Sequence, residues 1–303
     1  MKKAKGTLFL LLTALIWGTG FVAQSSAAES IGSFTFTASR SFVAAMFLGT
    51  FLLLRKDNPN GTSRMSFKQT IFGGIVCGAV FFLASNFQQF GIALYPEGAA
   101  SSGRSGFLTA TYVVMVAVCS CFSGKKLHPV IWLATLGCVA GMYMLCMSGG
   151  FSSIYLGDVL VLICAVCFAA HILVIDKYSH IDSVKLSFMQ FAVCGTLSLI
   201  GALIFEKPSI SQFSDAWFCI VYAGVFSSGI AYTLQMAGQK YTEPSVASII
   251  MSLESVFAAI FGWLILGERL NGREIIGCVL VFSAVILAQL PSFMKKPDRV
   301  QNP

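Results

Sequence analysis

Ten apolar stretches, each long enough to cross a bilayer, follow one another along this 303-residue chain with only short polar connections between them. They fall at about residues 7–27, 34–54, 70–94, 99–122, 130–148, 157–176, 184–205, 216–238, 244–266 and 274–291. A span needs roughly 20 apolar residues to match the hydrocarbon thickness. Within lipid only helices and closed barrels satisfy their own backbone groups, and runs of this length without strand alternation predict helices. Composition agrees. Charged residues make up 11% of the chain and hydrophobic ones 56%, with a mean hydropathy of +0.79, whereas a soluble domain carries roughly a quarter charged residues.

The first stretch has a second reading. Lys2, Lys3 and Lys5 precede it and small residues from Ser25 to Ala28 follow it, as in a cleavable signal peptide. It is read as a span because it has a counterpart later in the chain. The ten cysteines all lie within apolar runs. Cys164 and Cys167 form a CxxC with no histidine or second CxxC at metal spacing, so no metal site and no disulfide framework is expected.

The net charge of +7 is explained by topology, without nucleic acid. With the N-terminus in the cytoplasm, fifteen of the 20 Lys and Arg residues fall on the cytoplasmic side. Three (Lys207, Arg269 and Arg273) fall outside, and Arg40 and Arg104 lie within spans. This is the positive-inside bias. It places both termini in the cytoplasm and the chain in the plasma (inner) membrane.

The halves repeat. A shift of 146 carries Gly78, Gln89, Tyr95 and Glu97 onto Gly224, Gln235, Tyr241 and Glu243. A shift of 143 carries Gly124-Lys125-Lys126-Leu127 onto Gly267-Glu268-Arg269-Leu270, and one of 151 carries Gly6 and Ala14 onto Gly157 and Ala165. Because five spans is an odd number, two tandem copies insert upside down. The expected fold is an all-α integral membrane protein with ten transmembrane helices in two inverted five-helix repeats. Residues 1–148 form the first repeat, 149–156 a linker, 157–291 the second repeat and 292–303 a cytoplasmic tail. Inverted repeats of this kind are a mark of secondary transporters with a mid-membrane site.

Several motifs resemble the drug/metabolite transporter superfamily in its ten-span EamA-type branch. They are Ala14-Leu15-Ile16-Trp17-Gly18, Ser102-Gly103-Arg104-Ser105-Gly106-Phe107-Leu108-Thr109, Gly157-Asp158, Leu253-Glu254-Ser255-Val256-Phe257-Ala258-Ala259 and Gly262-Trp263-Leu264-Ile265-Leu266-Gly267-Glu268-Arg269-Leu270. The resemblance covers about residues 6–290. It implies transport of a small metabolite, often an amino acid, without ATP; export is the expected direction. Family members usually carry proline where this chain has Ser255, which leaves a proline kink there in question.

Ionisable groups inside a bilayer are costly and point to function. Arg40, Arg104, His171 and Glu254 are the four that stand out. Glu254 lies about ten residues into its span, hence ~15 Å deep, and Arg104 about 9 Å deep. An Arg104–Glu254 pair is therefore expected. Glu254 and His171 are the candidate proton-coupling groups. Arg40 has five donors suited to a carboxylate, or snorkels to the headgroups. Trp17, Gln89, Tyr112, Tyr232 and Gln235 are candidate cavity-lining residues. Gly74-xxx-Gly78 and Gly137-xxx-Gly141 read as helix-packing signals. Gly18-Thr19-Gly20-Phe21-Val22-Ala23 fits a dinucleotide fingerprint but follows no strand, and Asn60-Gly61-Thr62 lies on the cytoplasmic side, away from glycosylation. The expected partners are a small-molecule substrate, a coupled proton and membrane lipid, with no cofactor. An intramembrane enzyme would need clustered Asp or His, which are missing; a passive channel or a receptor remains the alternative.

Overall fold

A computed structural model of the chain describes residues 2–55, 64–96, 101–122, 127–146, 155–266 and 272–294. The two glycine turns that match under the 143 shift, most of the linker, the tail beyond 294 and the Asn60-Gly61-Thr62 tripeptide lie outside the described residues. Thirteen α-helices and one π-helical segment are described, and no strand among those residues.

The helices are α1 (Lys2–Ala28), α2 (Ser33–Leu54), α3 (Arg64–Ala93), α4 (Ser101–Ala110), α5 (Tyr112–Phe122), α6 (Pro129–Cys146) and α7 (Leu156–Lys177). They continue with α8 (Ser183–Phe205), α9 (Ile210–Tyr222), the π segment (Ala223–Ala231), α10 (Tyr232–Gln239), α11 (Pro244–Met251), α12 (Leu253–Leu266) and α13 (Gly272–Met294). Eight stretches are long and apolar enough to cross a membrane, and the shorter apolar helices Pro129–Met144 and Ile275–Ala288 complete ten among the described residues. The fourth span is α4 with α5, the eighth runs from α9 through the π segment to α10, and the ninth is α11 with α12. The eighth is longer than its apolar pattern alone suggests: it begins at Ile210, capped by the Ser209–Gln212 capping box.

The bundle is inside-out relative to a soluble protein. Large apolar side chains such as Met46, Leu53, Leu203 and Phe282 face outward, while Thr37, Ser41, Gln89, His171, Gln190 and Ser198 are buried. Lipid accepts the first set, and interhelical hydrogen bonds take up part of the second.

Helix packing repeats between the halves. α1 packs on α12 and on the eighth span, and α7 packs on the fourth span and on α3. α2 packs on the π segment, and α8 on α3; α2 pairs with α8, and α6 with α13. Exchanging the two halves leaves this set of pairings unchanged. The contacts agree at atomic detail. A Cβ on Gly78 would stand 2.6 Å from Val193 Cβ and 2.8 Å from the Gln190 carbonyl; one on Gly224 would stand 2.6 Å from Val43 Cβ and 3.0 Å from the Arg40 carbonyl. Both glycines are thus required by close helix approach against matched positions. Gly141 packs against the Gly277 carbonyl in the same way.

Helices α2 and α8 run antiparallel, tied at both ends. Gly32, the N-cap of α2, has no side chain to offer, and Glu206 at the end of α8 accepts from Phe34 N and Thr35 N, both at 2.8 Å, and from Thr35 Oγ1 at 2.5 Å. At the other end Asp182 caps α8 through Val184 N and Lys185 N and pairs with Arg55 at 3.1 Å. Carboxylates at helix N-termini also meet the positive end of the helix dipole. Partial burial pushes the Asp182 carboxyl up, but the Lys185 amide, the Arg55 guanidinium and the Val184 amide together hold it below the usual carboxylate range. A depressed folded-state pKa contributes stability that is present above the unfolded value and lost as pH falls through the folded one. The melting temperature is therefore expected to fall as pH drops from about 5 toward 3, and Asp182→Asn to flatten part of that slope; thermal melts across this range check it.

Candidate functional site

Two helix breaks, in corresponding spans of the two halves, frame the centre of the molecule. The fourth span breaks at Thr111, whose N–H and Oγ1 both donate to the Leu108 carbonyl at 3.3 and 2.6 Å. The ninth breaks at Ser252, whose Oγ donates to the Ile249 carbonyl at 2.6 Å; Ser255 N and Oγ then donate to the Ser252 carbonyl at 3.1 and 2.8 Å. Hydroxyls that take carbonyls from the helical ladder bend helices without proline. The interruption is local: Ser252 stays in the right-handed helical region and its N–H still donates to the Ser248 carbonyl at 3.0 Å. Tyr112 opens the half-helix after the first break, and Glu254 lies in the first turn after the second. The Tyr112 hydroxyl donates to Glu254 Oε1 at 3.1 Å, so the two breaks meet. Paired interruptions of this kind are where transporter folds place their sites.

A third irregularity adjoins them. In the π segment of the eighth span, the Ser227 carbonyl accepts from Trp17 Nε1 at 3.2 Å. Isolated π segments recur at functional positions.

These features surround a cavity of about 430 Å³ of empty space, its mouth included. Trp17, Phe21, Gln24, Arg40, Gln88, Thr109 and Tyr112 line it from the first half, and Phe168, Ile172, Ser227, Tyr232, Gln235 and Glu254 from the second. The rings of Trp17 and Tyr232 stack obliquely with centroids 4.6 Å apart. Arg40 is 3% exposed; its Nη1 donates to Gln24 Oε1 at 3.3 Å, its guanidinium lies over the Phe36 ring at 5.5 Å, and its Nε has no partner among the described residues. Arg40 does not snorkel: it is held inside the bundle.

Six of the nine sequence-derived candidates line this cavity: Trp17, Arg40, Tyr112, Tyr232, Gln235 and Glu254. Three stand elsewhere. Gln89 is fully buried behind the cavity, donating to the Gln24 carbonyl at 3.2 Å. His171 is fully buried, 2.7 Å from Gln190 Oε1, with its ring packed near Phe81, Phe168 and Tyr232. Arg104 lies near the start of the fourth span and does not pair with Glu254. Its Nε and Nη2 donate to Asp158 Oδ1 and Oδ2, both at 2.6 Å. Tyr95 Oη donates to the same carboxylate at 2.8 Å, the Tyr155 amide at 2.9 Å, and the Arg104 guanidinium covers the Tyr155 ring. Asp158 in the first turn of α7 is level with Arg104, whereas Glu254 lies deeper, so the nearer carboxylate takes the arginine. Depth counting brought the two spans together but overlooked Asp158, which was visible only as part of a Gly-Asp motif. Gln24 and Gln88 were missed too; an amide inside an apolar run was the available signal. Among the described residues no group of His, Cys, Asp and Glu could hold a metal ion.

The sequence pattern of the EamA-like transporter family is matched at residues 4–147 and again at residues 155–290. A protein of Archaeoglobus fulgidus named as an uncharacterized transporter is 31% identical over 96% of this chain and 87% of its own. The uncharacterized transporter YoaV of Bacillus subtilis is 24% identical over 93% of this chain and 96% of its own. The uncharacterized inner membrane transporter YedA of Escherichia coli is 22% identical over 95% and 91%. A solved crystal structure, 19% identical, superposes with a TM-score of 0.76 and covers 94% of this chain and 98% of its own, which is a likeness of fold.

Proposed function

Taking as premise that this chain belongs to the EamA-like transporter family and is a multi-pass membrane transporter, we propose that it is a secondary active carrier. It moves a small metabolite, an amino acid or related compound, out of the cell by alternating access across the plasma (inner) membrane. In this reading the five-span halves are inverted repeats that rock about the cavity, both termini are cytoplasmic, and the substrate is bound by Arg40, Glu254, Trp17, Tyr112, Tyr232 and Gln235. Glu254 is the proton-coupling group, with buried His171 as a relay behind it.

The single observation that carries the proposal is the cavity itself: both halves line it, and it lies where their corresponding spans are interrupted. A wall shared between two packed units can open to either side when one unit tilts on the other. The antiparallel pairs α2–α8 and α6–α13 support opposite insertion of the halves. Saturable counterflow in proteoliposomes is the test, run against amino acids, sugars, nucleosides and organic cations. A carrier is expected to show saturation and exchange of labelled for unlabelled substrate. Flux that rises linearly with concentration and shows no exchange would mean a channel.

A further inference from the structure

We propose that Arg104, Asp158 and Tyr95 form a latch over the central cavity, and that the resting carrier is sealed at that end. The inference rests on the transport reading in taking this cavity as the space that opens to each side in turn.

The latch joins three helices that also form the cavity wall. Arg104 is on α4, Asp158 in the first turn of α7, and Tyr95 just past the end of α3. The same helices line the cavity with Thr109, with Phe168 and Ile172, and with Gln88. At the helical rise, Thr109 lies ~7.5 Å from Arg104, Gln88 ~10 Å from Tyr95 and Phe168 ~15 Å from Asp158. All three steps lead inward from the end of the bundle where α3 finishes and α4 and α7 begin, so the cluster lies between that end and the cavity. In the reading with both termini cytoplasmic, this is the outer end. Helices α3 and α4 belong to the first half and α7 to the second. Two guanidinium nitrogens and a phenol hydroxyl from one half thus converge on a single carboxylate of the other, in a bidentate, charge-assisted arrangement.

The opposite end shows what the latch adds. At both ends glycines bring the halves into backbone contact. A Cβ on Gly157 would stand 2.6 Å from the Gly91 carbonyl oxygen, and one on Gly91 2.9 Å from that of Gly157. Gly6 and Gly238 repeat this reciprocal approach at 3.0 and 3.1 Å. There the shift of 151 puts Thr7 in the place of Asp158, and the shift of 146 puts Tyr241 in the place of Tyr95. Helices α1, α10 and α11 contain no acidic residue, so no ion pair joins them. Closure is symmetric in backbone packing and asymmetric in charge. Opening the latched end separates a guanidinium from its carboxylate; opening the other breaks no such pair. An equilibrium between two states follows the difference in their interactions, so the latched end is the one closed at rest.

The test uses the full-length protein in nanodiscs and needs no substrate. Trp17 lines the cavity and reports on access once the other three tryptophans are replaced, as Trp132→Phe, Trp217→Phe and Trp263→Phe. Its quenching by acrylamide is measured alongside amide hydrogen exchange, with the latch intact and with Asp158→Asn. Asparagine keeps the size and can still accept from the Tyr155 amide, but gives up the charge. Exchange at residues 88–95 and 156–162 is expected to speed up on the order of 10-fold, the weight of a charge-assisted hydrogen bond. Residues 6–10 and 235–241 are expected to exchange as before, and Trp17 quenching to rise several-fold. Tyr95→Phe should move both readouts the same way by less, and it decides if Asp158→Asn does not fold. The proposal is overturned if neither readout moves or if exchange rises equally at both ends. It is also overturned if exchange rises at the latched end while Trp17 stays shielded, since the cluster is then a staple between helices. Trp17 becoming accessible in a protein without counterflow would sink the transport reading alone. Counterflow with both readouts unmoved would sink this inference alone.

Discussion

Asp158→Ala is expected to destabilise the protein by about 3–5 kcal/mol, because it breaks a largely buried, bidentate carboxylate–guanidinium pair. The side chains of Arg104 and Asp158 are 14% and 7% exposed, and the pair is bidentate at 2.6 Å. Asp158 also accepts from the Tyr95 hydroxyl and the Tyr155 amide, so one substitution strands several donors. Burial, with the hydrogen bond to Asp158, pushes the Tyr95 hydroxyl pKa up. The double replacement Arg104→Met with Asp158→Leu removes both charges and is expected to recover most of the loss, since a buried pair and a well-packed apolar pair differ far less than a broken pair does. Thermal melts of the three proteins in one detergent measure this. If Asp158→Ala melts within a degree or two of the wild type, the pair is not holding α4 against α7. A double variant as unstable as the single one would place the loss in the tyrosine and amide contacts instead.

Glu254→Gln is expected to abolish transport driven by a proton gradient, a fall on the order of 100-fold or more, without lowering the melting temperature. Glutamine keeps the shape and can still accept from Tyr112, so the packing at the ninth-span break survives. It can neither take up a proton nor face a cation as a counter-charge. A single carboxylate that serves a proton or a substrate ammonium in turn, and not both, links the two movements by competition. Flux in proteoliposomes with and without an imposed pH gradient reads the effect. Gradient-driven transport that persists in the variant removes Glu254 from coupling and leaves it a packing role. His171→Gln provides the contrast: a side chain packed behind the cavity against Gln190 should alter rate less than Glu254 does.

Much of the architecture was legible in the order of residues alone. Ten apolar runs require about ten helices, because lipid offers nothing to unpaired backbone groups. Gly78 and Gly224 were matched by their spacing before any contact was known, and both prove to be points of close approach against helices that are themselves related. Arg40 and Glu254 were conspicuous because a charge in an apolar run needs a reason. Both line the cavity.

Other features depended on azimuth and on local hydrogen bonding, which a linear pattern does not encode. Counting residues along a span yields depth at 1.5 Å per residue, so Arg104 could be assigned a level but not a partner. Which carboxylate it meets is decided by how α4 faces α7, and the answer was Asp158. The same limit hid Gln24 and Gln88, whose cavity-facing direction follows from packing. The breaks at Thr111 and Ser252 and the π segment at Ala223–Ala231 are likewise tertiary outcomes. A serine in a helix bends it only where the neighbouring helices leave the freed carbonyls and amides satisfied. The chain's chemistry thus decided that it crosses the bilayer and how often, through the cost of unpaired backbone in lipid. The folded bundle decided which charges are answered and which are left facing a cavity, through orientation about each helix axis.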